Sequence, residues 1–190
     1  MNTTLLAIFA VAYLIGSIPF GIVFCRMFGL GDPRQQGSGG TGATNVLRTG
    51  HKGAAVLTLI FDAGKGALVV LGAVMFAEAL VDLAAQYMGL VFPTVGATAA
   101  ATIAGLGAFL GHLFPLYTLF RGGKGVATYL GILGALYWPA GLTAVGIWLV
   151  VAVLFRISSL SALVMVAAVP FVLSYFGQDG FVWLAVLLGV

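Results

Sequence analysis

Two glycine-rich segments that also carry basic side chains are the parts of this sequence best suited to chemistry. The first spans residues 37–48 and the second spans residues 121–128. Consecutive glycines can turn successive backbone N–H groups inward to hold an anion. A guanidinium or an ammonium adds charge-assisted hydrogen bonds. Both segments are therefore predicted to bind phosphate.

The first segment opens with the spacing G-x-G-x-x-G, at Gly37, Gly39 and Gly42. A dinucleotide site would require a strand before this motif and a βαβ unit around it. An apolar helix precedes it instead, so the dinucleotide interpretation is excluded. A flexible linker remains the alternative, although a linker has no need for Asn45 and Arg48. The segment's hydroxyl donors are Ser38, Thr41 and Thr44.

In the second segment, Lys124 is one of four consecutive residues, and the other three are glycines. They stand at the start of an apolar stretch. Backbone amides at a helix N-terminus together with a lysine form an anion site. Gly125 stands where a nucleotide-binding P-loop needs Ser or Thr, so no nucleotide is predicted. The alternative is a simple turn whose cations mark the cytoplasmic side.

Isolated polar residues offer weaker candidates. Asp62 and Lys65 share one helical face, and an ion pair with a purely structural role is as well supported as a functional one. His112 is a candidate base, although a histidine satisfied at a helix end is favoured. His51 has no evident partner and is predicted to be a solvated loop residue. Cys25 is predicted to be a buried thiol.

The sequence contains no cluster with the spacing of a metal site and no triad of Ser, His and Asp. We therefore predict neither a metal nor a cofactor. Serines follow Arg156, at Ser158, Ser159 and Ser161, where they either cap a helix or face the two glycine segments.

The composition places these segments in a membrane protein. Of 190 residues 62% are hydrophobic, and the charged residues number 8 basic and 5 acidic. Soluble domains are about a quarter charged. A soluble enzyme, a nucleic-acid-binding protein and a disordered chain are therefore excluded, and no nucleic-acid partner is expected.

Uncharged stretches of about 20 residues predict an all-α, polytopic bundle of seven transmembrane helices in a single domain, 1–190. The first helix is predicted to stay in the membrane rather than to be cleaved as a signal peptide. The seventh ends ten residues in, which favours a truncated helix and a fragment of a longer protein. The predicted spans are 3–24, 54–77, 92–113, two short helices within 125–155 on either side of a turn at 138–141, 160–176, and a seventh from 181.

Basic residues define the orientation. With the N-terminus outside, all eight Lys and Arg side chains fall on the cytoplasmic side. Glu78, Asp82 and Asp179 then fall outside. Both glycine-rich segments consequently lie on the cytoplasmic face.

The motifs GSGxxGATNxxR, DxxKG, GHxFP and GGKGVAT occur in this order and cover most of the chain. Their combination resembles the bacterial acyl-phosphate:glycerol-3-phosphate acyltransferase family. The resemblance implies a seven-helix membrane enzyme that moves a fatty acyl group from acyl phosphate to glycerol 3-phosphate. Its product is lysophosphatidic acid, made in the first step of phospholipid synthesis. The implied location is the bacterial inner membrane, with the active face cytoplasmic.

The resemblance also implies roles for individual residues. Ser38, Arg48 and Lys124 match the catalytic positions, and Ser159 is similar to a serine that contacts glycerol 3-phosphate. His112 is included among the substrate-binding residues. The enzyme is expected to act as a monomer among membrane lipids, with a place beside the enzyme that forms acyl phosphate left open. The other implied substrate-binding residues are Gly39, Gly40, Gly42, Thr44, Asn45, Gly122, Gly123 and Gly125.

The residues suit this reaction chemically. Acyl phosphate is a mixed anhydride with a good leaving group, so the protein has to hold two phosphates together and stabilise the developing charge. A substrate phosphate oxygen is our first choice as the acceptor of the hydroxyl proton, and His112 is the second. The acyl tail is expected to lie in lipid or between helices.

Two departures from the family pattern stand out. Gly40 occupies a position where the family usually has Asn, which could weaken the acyl-phosphate pocket. The chain also stops at Val190, before a basic segment that contributes to the family's active site, which puts activity in doubt.

Two other functions fit parts of the pattern. A carrier for phosphorylated solutes would use the same cations, but it would also need polar groups along a path through the membrane. A scaffold that binds an acidic partner would tolerate Gly→Ala changes in both segments, whereas a phosphate site would not.

Overall fold

The structure is a computed structural model that describes residues 3–88 and 96–189. This part of the chain is helical and contains no strand. Its nine α-helices are α1 (Thr3–Gly16), α2 (Phe20–Met27), α3 (Ala43–Leu47), α4 (Lys52–Met88), α5 (Ala97–Leu113), α6 (Val126–Leu136), α7 (Trp138–Phe155), α8 (Ser158–Tyr175) and α9 (Val182–Gly189). Short 3-10 turns lie at Pro33–Gln35, Leu116–Thr118 and Asp179–Phe181.

Five segments of the described chain are long and apolar enough to cross a membrane. They are Thr3–Met27, Lys52–Ala77, Ala97–Thr118, Trp138–Phe155 and Ser158–Tyr175. Two shorter apolar segments, Val126–Leu136 and Asp179–Gly189, complete the set. Large apolar side chains such as Phe171 and Trp183 are about four-fifths exposed, at 78% and 82%. This arrangement, apolar on its outer surface, is that of a protein surrounded by lipid.

The first predicted span is interrupted, which the sequence prediction missed. Helix α1 ends at Gly16 and α2 begins at Phe20, so Ser17, Ile18 and Pro19 separate them. Proline has no N–H for the helical ladder, and its ring crowds the preceding turn. The break exposes the Ile18 carbonyl oxygen to a side chain from another helix, as described below.

The predicted turn at residues 138–141 is wrong. Tyr137 separates α6 from α7, and Trp138 and Pro139 lie in the first turn of an 18-residue helix. Proline is well tolerated there because the first N–H groups of a helix have no partner within the helix. The fifth predicted helix is therefore of full length, whereas α6 has 11 residues.

The limits of the second span agree with the prediction, since the apolar segment is Lys52–Ala77. Helix α4 itself begins at Lys52 and continues past this span to Met88, 37 residues in all. Helix α5 ends at Leu113 as predicted, and part of the predicted start of that span lies outside the described residues.

Small residues let α1 and α5 pack with their backbones in contact. A β-carbon on Gly107 would lie 2.7 Å from the Phe9 carbonyl oxygen, and one on Gly111 would lie 2.9 Å from the Ser17 amide nitrogen. The Tyr13 hydroxyl also donates to the Phe114 carbonyl oxygen at 2.6 Å, next to the end of α5. Gly107 and Gly111, which have the spacing G-x-x-x-G, thus serve helix packing, and the contact fixes the end of α5 that leads to the second glycine segment.

The main apolar core is built from the inward faces of α1 and α4–α9. A smaller cluster around Phe24, Cys25 and Val46 joins α2, α3 and the start of α4. Cys25 is 1% exposed, as the sequence predicted. The small cluster holds the first glycine segment against the helical bundle.

Candidate active site

The structure brings the two glycine segments into contact. A β-carbon built on Gly40 would lie 3.7 Å from the Gly122 carbonyl oxygen and 3.8 Å from Gly123 Cα. These residues are about 80 positions apart in the sequence. The segments therefore form one composite surface, which we call the glycine site, defined by residues 37–48 and 121–128.

Asn45 organises the first half of the glycine site. Its Nδ2 donates to the Gly40 carbonyl oxygen at 2.8 Å, and its Oδ1 accepts from Arg48 Nη1 at 2.6 Å. Asn45 is 3% exposed, so its end of both bonds is buried, whereas Arg48 is exposed. They hold the loop and the guanidinium in one arrangement.

Backbone conformation in this loop requires glycine at two positions. Gly37 has φ +55° and Gly39 has φ +72°, in the left-handed region that side chains disfavour. A β-carbon on Gly37 would also collide with the Arg48 guanidinium. Glycine at position 37 thus gives Arg48 the space to lie against the loop.

The polar groups predicted to meet a substrate are accessible in this loop. Ser38, Thr44 and Arg48 are exposed, whereas Thr41 is 3% exposed. One guanidinium nitrogen of Arg48 contacts Asn45, and a guanidinium has further N–H donors for an anion. The surface can offer hydroxyl donors and a positive charge from one direction.

The second half of the site lies against His112. The Gly123 amide donates to the His112 carbonyl oxygen at 3.2 Å. A β-carbon on Gly123 would collide with His112 Nε2, and one on Gly122 would collide with the His112 and Leu113 backbone. Gly125, the N-cap of α6, has φ +78°. Lys124 is exposed between these tightly packed glycines.

A buried charge cluster lies behind this half of the site. Lys65 Nζ is 2.8 Å from Asp62 Oδ1 and donates to the Ile18 carbonyl oxygen at 2.9 Å. His112 Nδ1 is 3.6 Å from the same carboxylate oxygen. The predicted pairing of Asp62 with Lys65 is confirmed. Nothing in the sequence pointed to the contact of this pair with His112, 50 positions from Asp62.

Ser159 is not joined to the glycine site by any hydrogen bond or ion pair in the described part of the chain. It is exposed near the start of α8, a helix that packs chiefly on α7 and α9. Ser161 is buried, and its Oγ donates to the Ile157 carbonyl oxygen at 3.0 Å. This bond runs back to the carbonyl of the preceding turn and is not a cap. The N-cap residue of α8 is Ile157, without a side-chain cap, so the predicted capping by the serines is wrong.

Asp32 and Arg34 support the first loop from outside the membrane-spanning segments. Arg34 Nη2 lies 2.7 Å from Asp32 Oδ2, and its backbone N–H donates to Asp32 Oδ1 at 2.9 Å. The side-chain hydrogen bonds from Arg34 hold the pKa of Asp32 below its ordinary value. A β-carbon on Gly39 would lie 3.7 Å from the Arg34 carbonyl oxygen, so this turn backs the glycine site.

His51 lies in the loop before α4, as predicted, but the prediction that it has no partner is wrong. Its Nδ1 accepts a hydrogen bond from the Ala54 amide at 3.0 Å, and its ring packs on Phe28. His51 thereby satisfies a free N–H in the first turn of α4. A histidine in this role lies outside the usual N-cap residues, which is why the pattern gave no signal.

No group of three or more His, Cys, Asp or Glu side chains that could hold a metal ion occurs within residues 3–88 and 96–189. The chemistry available at the glycine site consists of backbone amides, hydroxyls, a guanidinium and an ammonium. These groups suit anionic substrates.

Known proteins share this sequence and fold. A family described as glycerol-3-phosphate acyltransferase matches residues 6–190. The glycerol-3-phosphate acyltransferase of Jannaschia sp. is 55% identical over 84% of this chain and 69% of its own length. That of Dinoroseobacter shibae is 52% identical over 94% of this chain and 78% of its own length.

Two crystal structures of PlsY (YgiH), an integral membrane glycerol 3-phosphate acyltransferase, have a similar fold. The glycerol 3-phosphate form superposes with a TM-score of 0.79 at 31% identity, over 99% of this chain and 85% of that one. The lysophosphatidic acid form gives a TM-score of 0.78 at 30% identity, with the same coverage.

Fold, site and relatives together define a membrane-integral acyltransferase of phospholipid synthesis. The chain belongs to the glycerol-3-phosphate acyltransferase family. The family expected from the sequence motifs is thereby confirmed.

Proposed function

We propose that this enzyme transfers a fatty acyl group from acyl phosphate to glycerol 3-phosphate. The observation that carries the proposal is the contact between the two glycine segments, each with an exposed cation, Arg48 in one and Lys124 in the other. Both substrates carry phosphate, and two anions can approach each other only where positive charge and N–H donors offset their repulsion.

The proposed step forms one bond and breaks one. The glycerol hydroxyl oxygen attacks the acyl carbon, and the bond from that carbon to the phosphate oxygen breaks. Lysophosphatidic acid and inorganic phosphate result, and the hydroxyl proton passes to a phosphate oxygen. Since phosphate leaves readily, alignment and charge stabilisation supply most of the catalysis, without a covalent intermediate on the enzyme.

The roles follow the two segments. Ser38, Thr44 and Arg48 bind the acyl-phosphate head group beside Gly39, Gly40 and Gly42, with Asn45 shaping this loop. Lys124 and the amides of Gly122, Gly123 and Gly125 bind the second phosphate. Ser159 is assigned to glycerol 3-phosphate from the family resemblance alone. One chain carries both segments, so a monomer is sufficient.

We further propose a bundle of seven helices in the bacterial inner membrane, with the N-terminus outside and the active face cytoplasmic. The placement of Lys and Arg supports this orientation. Segments 126–136 and 179–189 would be the two short members of the bundle. The acyl chain then enters from lipid, and glycerol 3-phosphate enters from the cytoplasm.

The test is phosphate release from palmitoyl phosphate by the purified protein, with and without glycerol 3-phosphate. We expect release only when glycerol 3-phosphate is present, with lysophosphatidic acid formed in equal amount. Lys124→Ala and Arg48→Ala should abolish turnover while leaving folding intact, because both side chains are exposed and only Arg48 holds a neighbour.

The matched control is Arg26→Ala, an exposed cation outside the glycine site. Near-normal turnover in Lys124→Ala would contradict the phosphate assignment. Phosphate uptake into vesicles without any acyl transfer would instead support a carrier.

A further inference from the structure

We propose that Asp62 is a positioning residue that sets the second glycine segment for substrate phosphate, acting through His112. The proposal rests on the proposed function, because it concerns how the same site is held. It gives the buried charge cluster a role in substrate binding, beyond that of an ion pair between neighbouring turns of α4.

The cluster links the helix break, α4, α5 and the second glycine segment. Lys65 contacts Asp62 on its own helix and the Ile18 carbonyl at the break between α1 and α2. Asp62 contacts His112 in the last turn of α5. His112 contacts Gly123 through both its backbone and its ring. A change at Asp62 therefore reaches Gly123 through one intermediate residue.

The three side chains of the cluster are buried, so each of them needs polar partners. Asp62, Lys65 and His112 are 2%, 4% and 5% exposed. A buried charge requires a partner and further hydrogen bonds to offset its desolvation. Lys65 receives these from Asp62, the Ile18 carbonyl and the face of the Phe20 ring, 5.6 Å away. The contact with Lys65 alone does not give the Asp62 carboxylate these further hydrogen bonds, and His112 is another group that faces it.

The direction of the imidazole is the informative feature. Nδ1 faces the Asp62 carboxylate, and Nε2 faces Gly123. A carboxylate favours a proton on the nitrogen that faces it, which fixes the tautomer. His112 is then held with Nδ1–H toward Asp62 and with the Nε2 lone pair toward the glycine segment.

The His112 imidazole also packs directly against the second glycine segment. A β-carbon on Gly123 would lie 3.0 Å from His112 Cε1 and 3.3 Å from Cδ2, so glycine lies directly against the imidazole. The Gly123 amide donates to the backbone of the same residue at 3.2 Å. Rotation of the ring would therefore displace Gly123 and, with it, the adjacent Lys124.

Nitrogen-15 NMR of histidine-labelled protein tests the geometry without relying on activity. The chain has two histidines, and His51 is expected to carry its proton on Nε2 because its Nδ1 accepts from Ala54. We expect the opposite tautomer for His112, with His51→Gln used to assign the signals. A His112 protonated on Nε2 alone would overturn the proposal.

Kinetics tests the consequence. Asp62→Asn alone leaves Lys65 buried without its partner, so the informative variant is Asp62→Asn/Lys65→Met, which removes both charges together. We expect it to fold and to raise the KM for a phosphate substrate by about tenfold or more, with a smaller change in kcat. Adding His112→Gln should change that KM by less than about threefold, because the two residues act in series.

A normal KM for both substrates in Asp62→Asn/Lys65→Met would show that the cluster serves stability only. A full additive loss on adding His112→Gln would show that Asp62 does not act through His112, and either result overturns the proposal. Gly64→Ala, on the exposed side of α4 between the two charges, is the control for disturbance of the helix. If the proposed function is wrong, the unmodified protein will release no phosphate in response to glycerol 3-phosphate. The tautomer of His112 is measured independently of that activity, so the two failures can be distinguished.

Discussion

Replacing Gly123 with alanine tests whether the tight contact between the glycine site and His112 is needed for activity. The added methyl group would overlap His112 Nε2 and approach Cε1 to 3.0 Å. A flexible side chain could move aside, but this imidazole is 5% exposed and lies against Asp62. The strain must therefore displace the segment or the ring.

Overpacking of this kind costs about 1–3 kcal/mol. If the protein has to adopt the strained arrangement in order to bind substrate, kcat/KM falls by about 5- to 150-fold, since about 1.4 kcal/mol corresponds to a factor of ten. If it appears in the unliganded protein instead, the free energy of unfolding falls by a similar amount.

The assay measures kcat and KM for both substrates beside the thermal stability in detergent. Gly64→Ala is the matched control, because a β-carbon there meets no atom within 4 Å and alanine favours a helix. Gly123→Ala protein with both normal kcat/KM and normal stability would refute the reasoning and would favour a scaffold that tolerates such changes.

Three further changes have defined outcomes. Gly66→Ala should destabilise the protein by about 1–3 kcal/mol in an unfolding titration, because its β-carbon would lie 2.6 Å from the Thr128 carbonyl oxygen where α4 meets α6; equal stability with Gly64→Ala would contradict this packing. Asn45→Ala should cost about 0.5–1.5 kcal/mol and lower the affinity for acyl phosphate, since it removes the hydrogen bond to the half-buried Gly40 carbonyl and releases Arg48; unchanged kinetics would refute that role. Asp32→Asn should lower stability at pH 7 by less than about 1 kcal/mol. Because the pKa of Asp32 is lowered in the folded protein, its contribution is present above the unfolded pKa near 3.9 and is lost as the pH falls through the lower folded value; the wild-type advantage in unfolding curves should therefore begin to shrink below about pH 4 and disappear only below the folded pKa.

The helices were largely predictable because the membrane leaves a strong signal in sequence. Long uncharged stretches had to become helices, and the ends of α5 and α8 followed closely. The two errors both involve proline, which breaks the first span at Pro19 yet starts α7 at Pro139. Proline has the same local effect in both places. Only its position along the helix decides whether it interrupts the helix or lies in the first turn of a new one.

The residues of the glycine site could be predicted from the sequence, but the contact between its two segments could not. Residue types placed both segments on one face, and the close approach of Gly40 to Gly122 depends on how α1, α4 and α5 pack. His112 illustrates the same limit, because its partner Asp62 lies on another helix. Spacing along the chain carries information within a helix and very little between helices.

The burial of Cys25 has a practical consequence for chemical labelling. It is the single cysteine in the sequence, and with 1% exposure it is shielded from reagents that attack accessible thiolates. Cysteines introduced at Leu119 and Tyr175, which are 83% and 86% exposed near opposite ends of the bundle, would therefore label against a silent background. In intact cells a membrane-impermeant maleimide would then reach position 175 and spare position 119 if the N-terminus lies outside, so the buried thiol leaves these 190 residues suited to mapping their own orientation.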